Sequence, residues 1–235
     1  MSTALLLVWM GTHLLSSSGI ASEKPLALVY KGPGSCVEDC SESAAQMALQ
    51  ADYDVEFVWP QEINEEVLRR AKLWIQPGGM SLDVAATMED EQKKLINLFV
   101  KAGGAYVGFC AGGFFADRFV HGQKNSPGLD LTPGHADDYH SPTTVLPIQY
   151  AGKTRQLFFQ GGPYFQVNGD AQVLGTYARG EAAIIQFEYG LGRVAISGPH
   201  PEAPAFWRRY YSLHDSDGLD YDIALEMIRW AGRKN

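Results

Sequence analysis

Between residues 26 and 109 the chain alternates short apolar runs with helix-like stretches, a pattern that a layered α/β sheet buries and few other arrangements can. Residues 26–30 (Leu-Ala-Leu-Val-Tyr) are ended by Gly32-Pro33-Gly34 and predict a buried strand. Residues 54–59 stop at Pro60, residues 72–76 stop at Pro77-Gly78-Gly79, and residues 105–109 make a fourth run of the same kind. Between them, residues 41–51 predict a helix with Ser41 or Ser43 as N-cap, and residues 62–70 a second. A third is predicted over 88–102, with Leu95, Leu98 and Phe99 on its apolar face and Gly103-Gly104 at its end. This spacing predicts a parallel sheet with right-handed crossovers and chemistry at the carboxyl ends of the strands.

The second half changes character. Residues 120–142 are rich in Gly, Pro, Asp and His and read as a long loop. Short β-type runs follow at 143–150, 155–160, 172–177, 182–188 and 193–197, several of them expected as antiparallel additions to the main sheet. Residues 220–230 predict a closing helix opened by Asp220 or Asp222. No repeat or linker divides residues 23–235, so one domain is expected.

Composition bounds the partners. Hydrophobic residues are 46% and charged residues 20% of the 235, ordinary for a globular domain that needs no metal or cofactor to build its core. The net charge of −8 argues against nucleic acid, and Trp207-Arg208-Arg209 reads as a surface-helix decoration. The apolar run from Ala4 to Leu15 is too short to span a bilayer, so no stable membrane span is expected. With the small residues Ser16 to Ala21 behind it, the run makes residues 1–22 a candidate signal peptide and predicts a periplasmic or secreted protein. The other reading is a disordered leader on a cytoplasmic protein. In an oxidising compartment Cys36 and Cys40, four apart beside a turn, are a candidate disulfide; otherwise both are free thiols.

Cys110 stands apart because its neighbours dictate its geometry. Gly108-Phe109-Cys110-Ala111-Gly112 follows a strand and opens a helix, the nucleophile-elbow pattern with sulfur in place of oxygen. Such a turn crowds the backbone, so a side chain at Gly108 or Gly112 would clash, and the helix start favours thiolate. Late in the chain, Pro199-His200-Pro201-Glu202 supplies a base and a carboxylate that an extended backbone sends to one side. Cys110, His200 and Glu202 thus form a candidate catalytic triad, with His200 as base and Glu202 orienting it. Backbone amides at Gly78, Gly79 and Ala111 are candidates for an oxyanion hole. His135, Asp137, Asp138 and His140 read as a polar loop rather than a metal site, and the aspartates between His214 and Asp222 lack the spacing of a calcium loop.

Six segments, VYKGPGS, IQPGGMSLD, GAYVGFCAGGFFA, LTPG, FFQGGPYF and ISGPHPE, resemble in order the N-terminal domain of eukaryotic biotin-protein ligases and its stand-alone bacterial relatives. These belong to the class I glutamine amidotransferase-like superfamily. The resemblance implies a flavodoxin-like α/β fold, with Cys110, His200 and Glu202 at the triad positions. No biotin-ligase catalytic domain is expected before Asn235, so biotinylation is not implied. Phe114 stands where true glutamine amidotransferases carry Gln, which turns the expectation away from glutamine. What remains is a thiol-dependent hydrolase or amidase acting on a small amide or acyl compound. The competing readings are a non-catalytic binding or regulatory module of the same fold and a redox-responsive thiol protein.

Overall fold

A computed structural model describes residues 24–36 and 39–233; the leader expected over 1–22 lies outside the described residues. Five parallel strands form the first half of one sheet: β1 (Leu26–Tyr30), β2 (Asp54–Val58), β3 (Ala71–Gln76), β4 (Ala105–Phe109) and β11 (Gly192–Ser197). They lie in the order β2-β1-β3-β4-β11, the flavodoxin-like arrangement. Beyond β11 the sheet continues antiparallel through β10 (Ala182–Tyr189), β9 (Gln172–Thr176), β6 (Thr144–Tyr150) and β7 (Lys153–Phe159). A side branch pairs β8 (Pro163–Val167) with β10 and with β5 (Gly134–Asp138).

The parallel strands inside the sheet are buried on both faces, as their mostly apolar runs require, whereas the edge strand β2 buries only Val58. On β1, Leu28 and Tyr30 point to one core while Ala27 and Val29 point to the other. The second core is closed by α1 (Cys40–Gln50) and α7 (Tyr221–Ala231) through Met47, Ala48, Ile223 and Met227. The first is closed by α2 (Glu65–Arg70), α3 (Ser81–Thr87), α4 (Asp90–Lys101) and α5 (Ala111–Phe115). Among the described residues no helix is long and apolar enough to cross a membrane.

Three expectations need correction. The apolar face of α4 is centred on Ile96 and Val100, and Leu98 is exposed. Residues 120–142 are not one long loop, since they contain β5, and β8 follows it. Strand β5 reads Gly-His-Ala-Asp-Asp and buries only Ala136, so no apolar alternation announces it. Its order comes from anchoring: the buried Asp117 carboxylate accepts from the Ala136 and Arg118 backbone N–H groups at 2.8 and 2.6 Å. Leu129 and Leu131 N–H groups add bonds to the Phe115 and Ala116 carbonyls.

The third correction is Trp207-Arg208-Arg209. These residues lie on α6 (Ala205–Tyr210), where Trp207 and Arg208 are buried. Arg208 pairs with Asp215 and, at 3.1 Å, with Asp220, and it donates to the Ala203 carbonyl at 3.0 Å. Arg155 bonds Asp220 and Asp222 from the other side, at 3.0 and 2.8 Å. Asp220 sits at the N-cap position of α7 but makes no capping bond, because its oxygens serve the two arginines. The aspartates of 215–222 therefore form an ion-pair network that fastens the 203–208 segment to the sheet.

Candidate active site

Gly78, Cys110 and His200 follow β3, β4 and β11, three neighbouring strands, so the topology gathers them at one carboxyl rim. The turn from β4 into α5 puts Cys110 at φ 48°, ψ −101°, a strained conformation for any residue with a Cβ. Its surroundings enforce it. The Cys110 N–H donates to the Ser197 carbonyl at 2.8 Å, and Tyr106 Oη donates to the Gly112 carbonyl at 2.8 Å. The two elbow glycines are needed: a Cβ at Gly112 would lie 2.3 Å from the Gln76 carbonyl oxygen, and one at Gly108 would lie 2.6 Å from the Gly112 backbone. With only five residues, α5 offers Cys110 a small dipole, less than the sequence pattern promised.

His200 lies against the sulfur. Its Nδ1 donates to Glu202 Oε1 at 2.8 Å, while the Cys110 thiol donates to the Gln160 carbonyl at 3.4 Å. The expected extended run is a turn instead, closed by the Ala203 N–H donating to the His200 carbonyl at 3.2 Å, and the His200 N–H is tied to the Phe158 carbonyl at 2.8 Å. Phe158 and Trp207 stand edge-on to the ring, at 5.8 and 5.2 Å between centroids. Burial pulls the pKa of His200 down, but Cys110 and then Glu202 outweigh it and raise it to about 10. Glu202 is fully buried, and its second oxygen has no partner among the described residues, so its charge is balanced by His200.

The candidate oxyanion amides are oriented from the other side. Cys36 N–H donates to the Gly78 carbonyl at 3.4 Å and Met80 N–H to the Gly34 carbonyl at 2.6 Å, which lays the Gly34–Cys36 loop along Gly78-Gly79. In a trans peptide the N–H points opposite to the C=O, so the Gly79 N–H faces away from Cys36. Neither it nor the Ala111 N–H, the first of α5, has a partner among the described residues. Gly78 is required for another reason: a Cβ there would meet His200 Cε1 at 2.5 Å. Cys36 and Cys40 flank this loop with Cα atoms 5.0 Å apart and sulfurs in bonding contact.

These groups open into a cavity of about 870 Å³ bounded by Ser35, Met80, Ser81, Cys110, His121 and the aromatic side chains of α6. Sequence reasoning missed three of its features. Trp207 was assigned to the surface, Ser81 drew no notice, and His121 fell in the segment read as loop. The candidate metal ligands part company: Asp137 goes to Gln166, Asp138 to His121, and His135 stands 3.9 Å from Asp117. Among the described residues no three such side chains converge on a cation position.

Residues 26–137 match the family described as Biotin-protein ligase, N terminal. Over those residues, just under half of its length, the chain is similar to that family. The match takes in Gly78, Gly79, Cys110 and Ala111, whereas His200 and Glu202 lie beyond it. A biotin–protein ligase of Schizosaccharomyces pombe is 25% identical over 211 residues, covering 76% of this chain and 33% of that protein. An uncharacterized protein of Chlamydia muridarum is 29% identical over 177 residues, covering 60% of this chain and 66% of that one. The chain thus spans a third of the yeast ligase and just under two thirds of the chlamydial protein. A glutamine amidotransferase crystal structure superposes with a TM-score of 0.60 at 18% identity, covering 78% of this chain and 96% of that one. PurLQS from Thermotoga maritima gives 0.59 at 15% identity, covering 86% and 98%. The chain thus has the glutamine amidotransferase-like fold.

Proposed function

We propose that this protein is a thiol-dependent amidase or hydrolase, with Cys110 as nucleophile, His200 as acid and base, and Glu202 orienting His200. The observation that carries the reading is the 2.8 Å bond between His200 and the buried Glu202, on the wall of the cavity that Cys110 also lines. Cys110 attacks the substrate carbonyl, forming an S–C bond, while the Gly79 and Ala111 amides receive the oxyanion. His200 gives its proton to the leaving nitrogen as the C–N bond breaks. Water, deprotonated by His200, then hydrolyses the thioester to the acid and restores the thiol. The substrate is a small amide or related acyl compound. Phe114 in place of Gln and the cavity's aromatic wall favour a substrate other than glutamine.

The pH dependence tests the role of His200. Its pKa is raised, so the imidazolium persists through neutrality and is lost as the pH rises through about 10. The stability it lends the fold is fully present below its ordinary value of 6.5 and disappears through the same rise. Amide turnover is expected to fall above about pH 10, since leaving-group protonation fails there. Alkylation of Cys110, which needs no acid, is expected to continue. Parallel loss of both with intact circular dichroism would refute this assignment.

Cys36 and Cys40 are proposed as a disulfide that fixes the loop holding Gly78-Gly79. Both thiols are expected to resist alkylation in protein taken from its native compartment until reductant is added. Mass spectrometry after iodoacetamide, with and without reductant, checks this, and free alkylation of both without reductant contradicts it.

A further inference from the structure

Across the cavity from His200 a second chain of polar contacts ends at a hydroxyl. Ser81 Oγ lies 2.8 Å from His121 Nε2, and His121 Nδ1 lies 3.0 Å from Asp138 Oδ2. An ionised carboxylate only accepts, so Nδ1 carries the proton toward Asp138, and Nε2 of the neutral ring accepts from Ser81. Each ring nitrogen thus serves the partner that activation of a serine requires. The three residues come from α3, the turn after α5 and the end of β5, so the chain is a tertiary construction rather than a local turn bond. Phe114 stacks on the His121 ring at 3.9 Å between centroids and fixes its plane. His121 itself is held at φ 51°, ψ 31°, a left-handed conformation uncommon for a residue with a Cβ. Ser81 and His121 both line the 870 Å³ cavity that Cys110 and His200 share.

We propose that Ser81 is a second nucleophile of this cavity, activated by His121, with Asp138 as the positioning residue, and that its substrates are apolar esters. In the step, Ser81 Oγ bonds to the ester carbonyl carbon and its proton passes to His121 Nε2. The C–O bond breaks, and His121 returns the proton to the departing alkoxide. Water then cleaves the acyl-serine by the same route to release the acid. An alcohol leaves more easily than an amine, which suits a site to which no oxyanion donors are assigned. The apolar preference follows from the wall: Phe206, Trp207, Tyr210 and Tyr211 line the cavity, and Tyr210 is 79% exposed at its rim. Among the described lining residues Asp39 and Asp83 are carboxylates, none is Lys or Arg, and the His200 imidazolium is already paired with Glu202, so an anionic ester is disfavoured.

A fluorophosphonate carrying an alkyl chain tests this in a Cys110→Ala background. There the Ser81 Oγ–P bond forms, the P–F bond breaks, and the proton goes to His121 as fluoride leaves. One adduct is expected, located on Ser81 by tandem mass spectrometry and absent after Ser81→Ala. His121→Ala is expected to slow labelling about 100-fold. Should that variant fail to fold, Asp138→Asn, at a half-exposed carboxylate, is expected to slow labelling at least about tenfold. A folded Cys110→Ala chain without an adduct on Ser81 overturns the proposal, as does labelling at an unchanged rate in the His121 or Asp138 variant. Neither outcome bears on Cys110, whose reactivity toward iodoacetamide is read separately in the unaltered chain.

Discussion

Valine at position 112 is expected to destabilise the protein by more than about 4 kcal/mol, enough to leave a domain of this size largely unfolded at ambient temperature. The cause is a backbone collision. A Cβ at Gly112 would sit 2.3 Å from the Gln76 carbonyl oxygen and 3.0 Å from the Gln76 Cβ, both on β3 next to the elbow. Neither atom can rotate away, because β3 is held by β1 on one side and β4 on the other. A β-branched residue adds its own χ1 restriction in a crowded turn. Thermal and urea denaturation followed by circular dichroism check this; a Gly112→Val protein as stable as the wild type would show that the elbow is not packed as described.

Cys110→Ser is expected to do the reverse, leaving stability within about 1 kcal/mol while lowering amide hydrolysis at least about 10³-fold. Oxygen replaces sulfur with little change in volume, and the turn geometry rests on Gly108 and Gly112 rather than on the thiol. Only the nucleophile changes. A serine hydroxyl beside an imidazolium is neither ionised nor easily deprotonated, because His200 is already raised toward about 10 by its neighbours. Turnover of a panel of chromogenic amides by the two proteins is the readout. Retained hydrolysis in the Cys110→Ser protein would move the chemistry elsewhere in the cavity.

The difference between these two variants mirrors what could be read from sequence. The parallel half of the sheet was legible because β1, β3 and β4 are mostly apolar runs bounded by Gly or Pro and buried on both faces, and because Pro60 marks the end of the half-exposed edge strand β2. The rim geometry followed, since Gly78, Cys110 and His200 each stand directly after such a run. The antiparallel half was only partly legible. Strand β5 was missed because it is polar and gains its order from Asp117, whose burial no local pattern reveals. The burial of Arg208 was illegible for a related reason: its partners Asp215 and Asp220 lie 7 and 12 positions away, and in sequence they read as solvated charges. Ser81, His121 and Asp138 are spread over 57 positions on three elements, so their meeting depends on tertiary packing that spacing does not encode.

The rate of iodoacetamide labelling at Cys110, compared at neutral pH between the wild type and a His200→Gln protein, tests the central claim most directly. Glutamine keeps a donor for Glu202 but brings no positive charge to the sulfur. Fast labelling of the wild type is expected, with a drop of at least about tenfold in the variant while its circular dichroism is unchanged. Equal rates in the two folded proteins would contradict activation of Cys110 by His200.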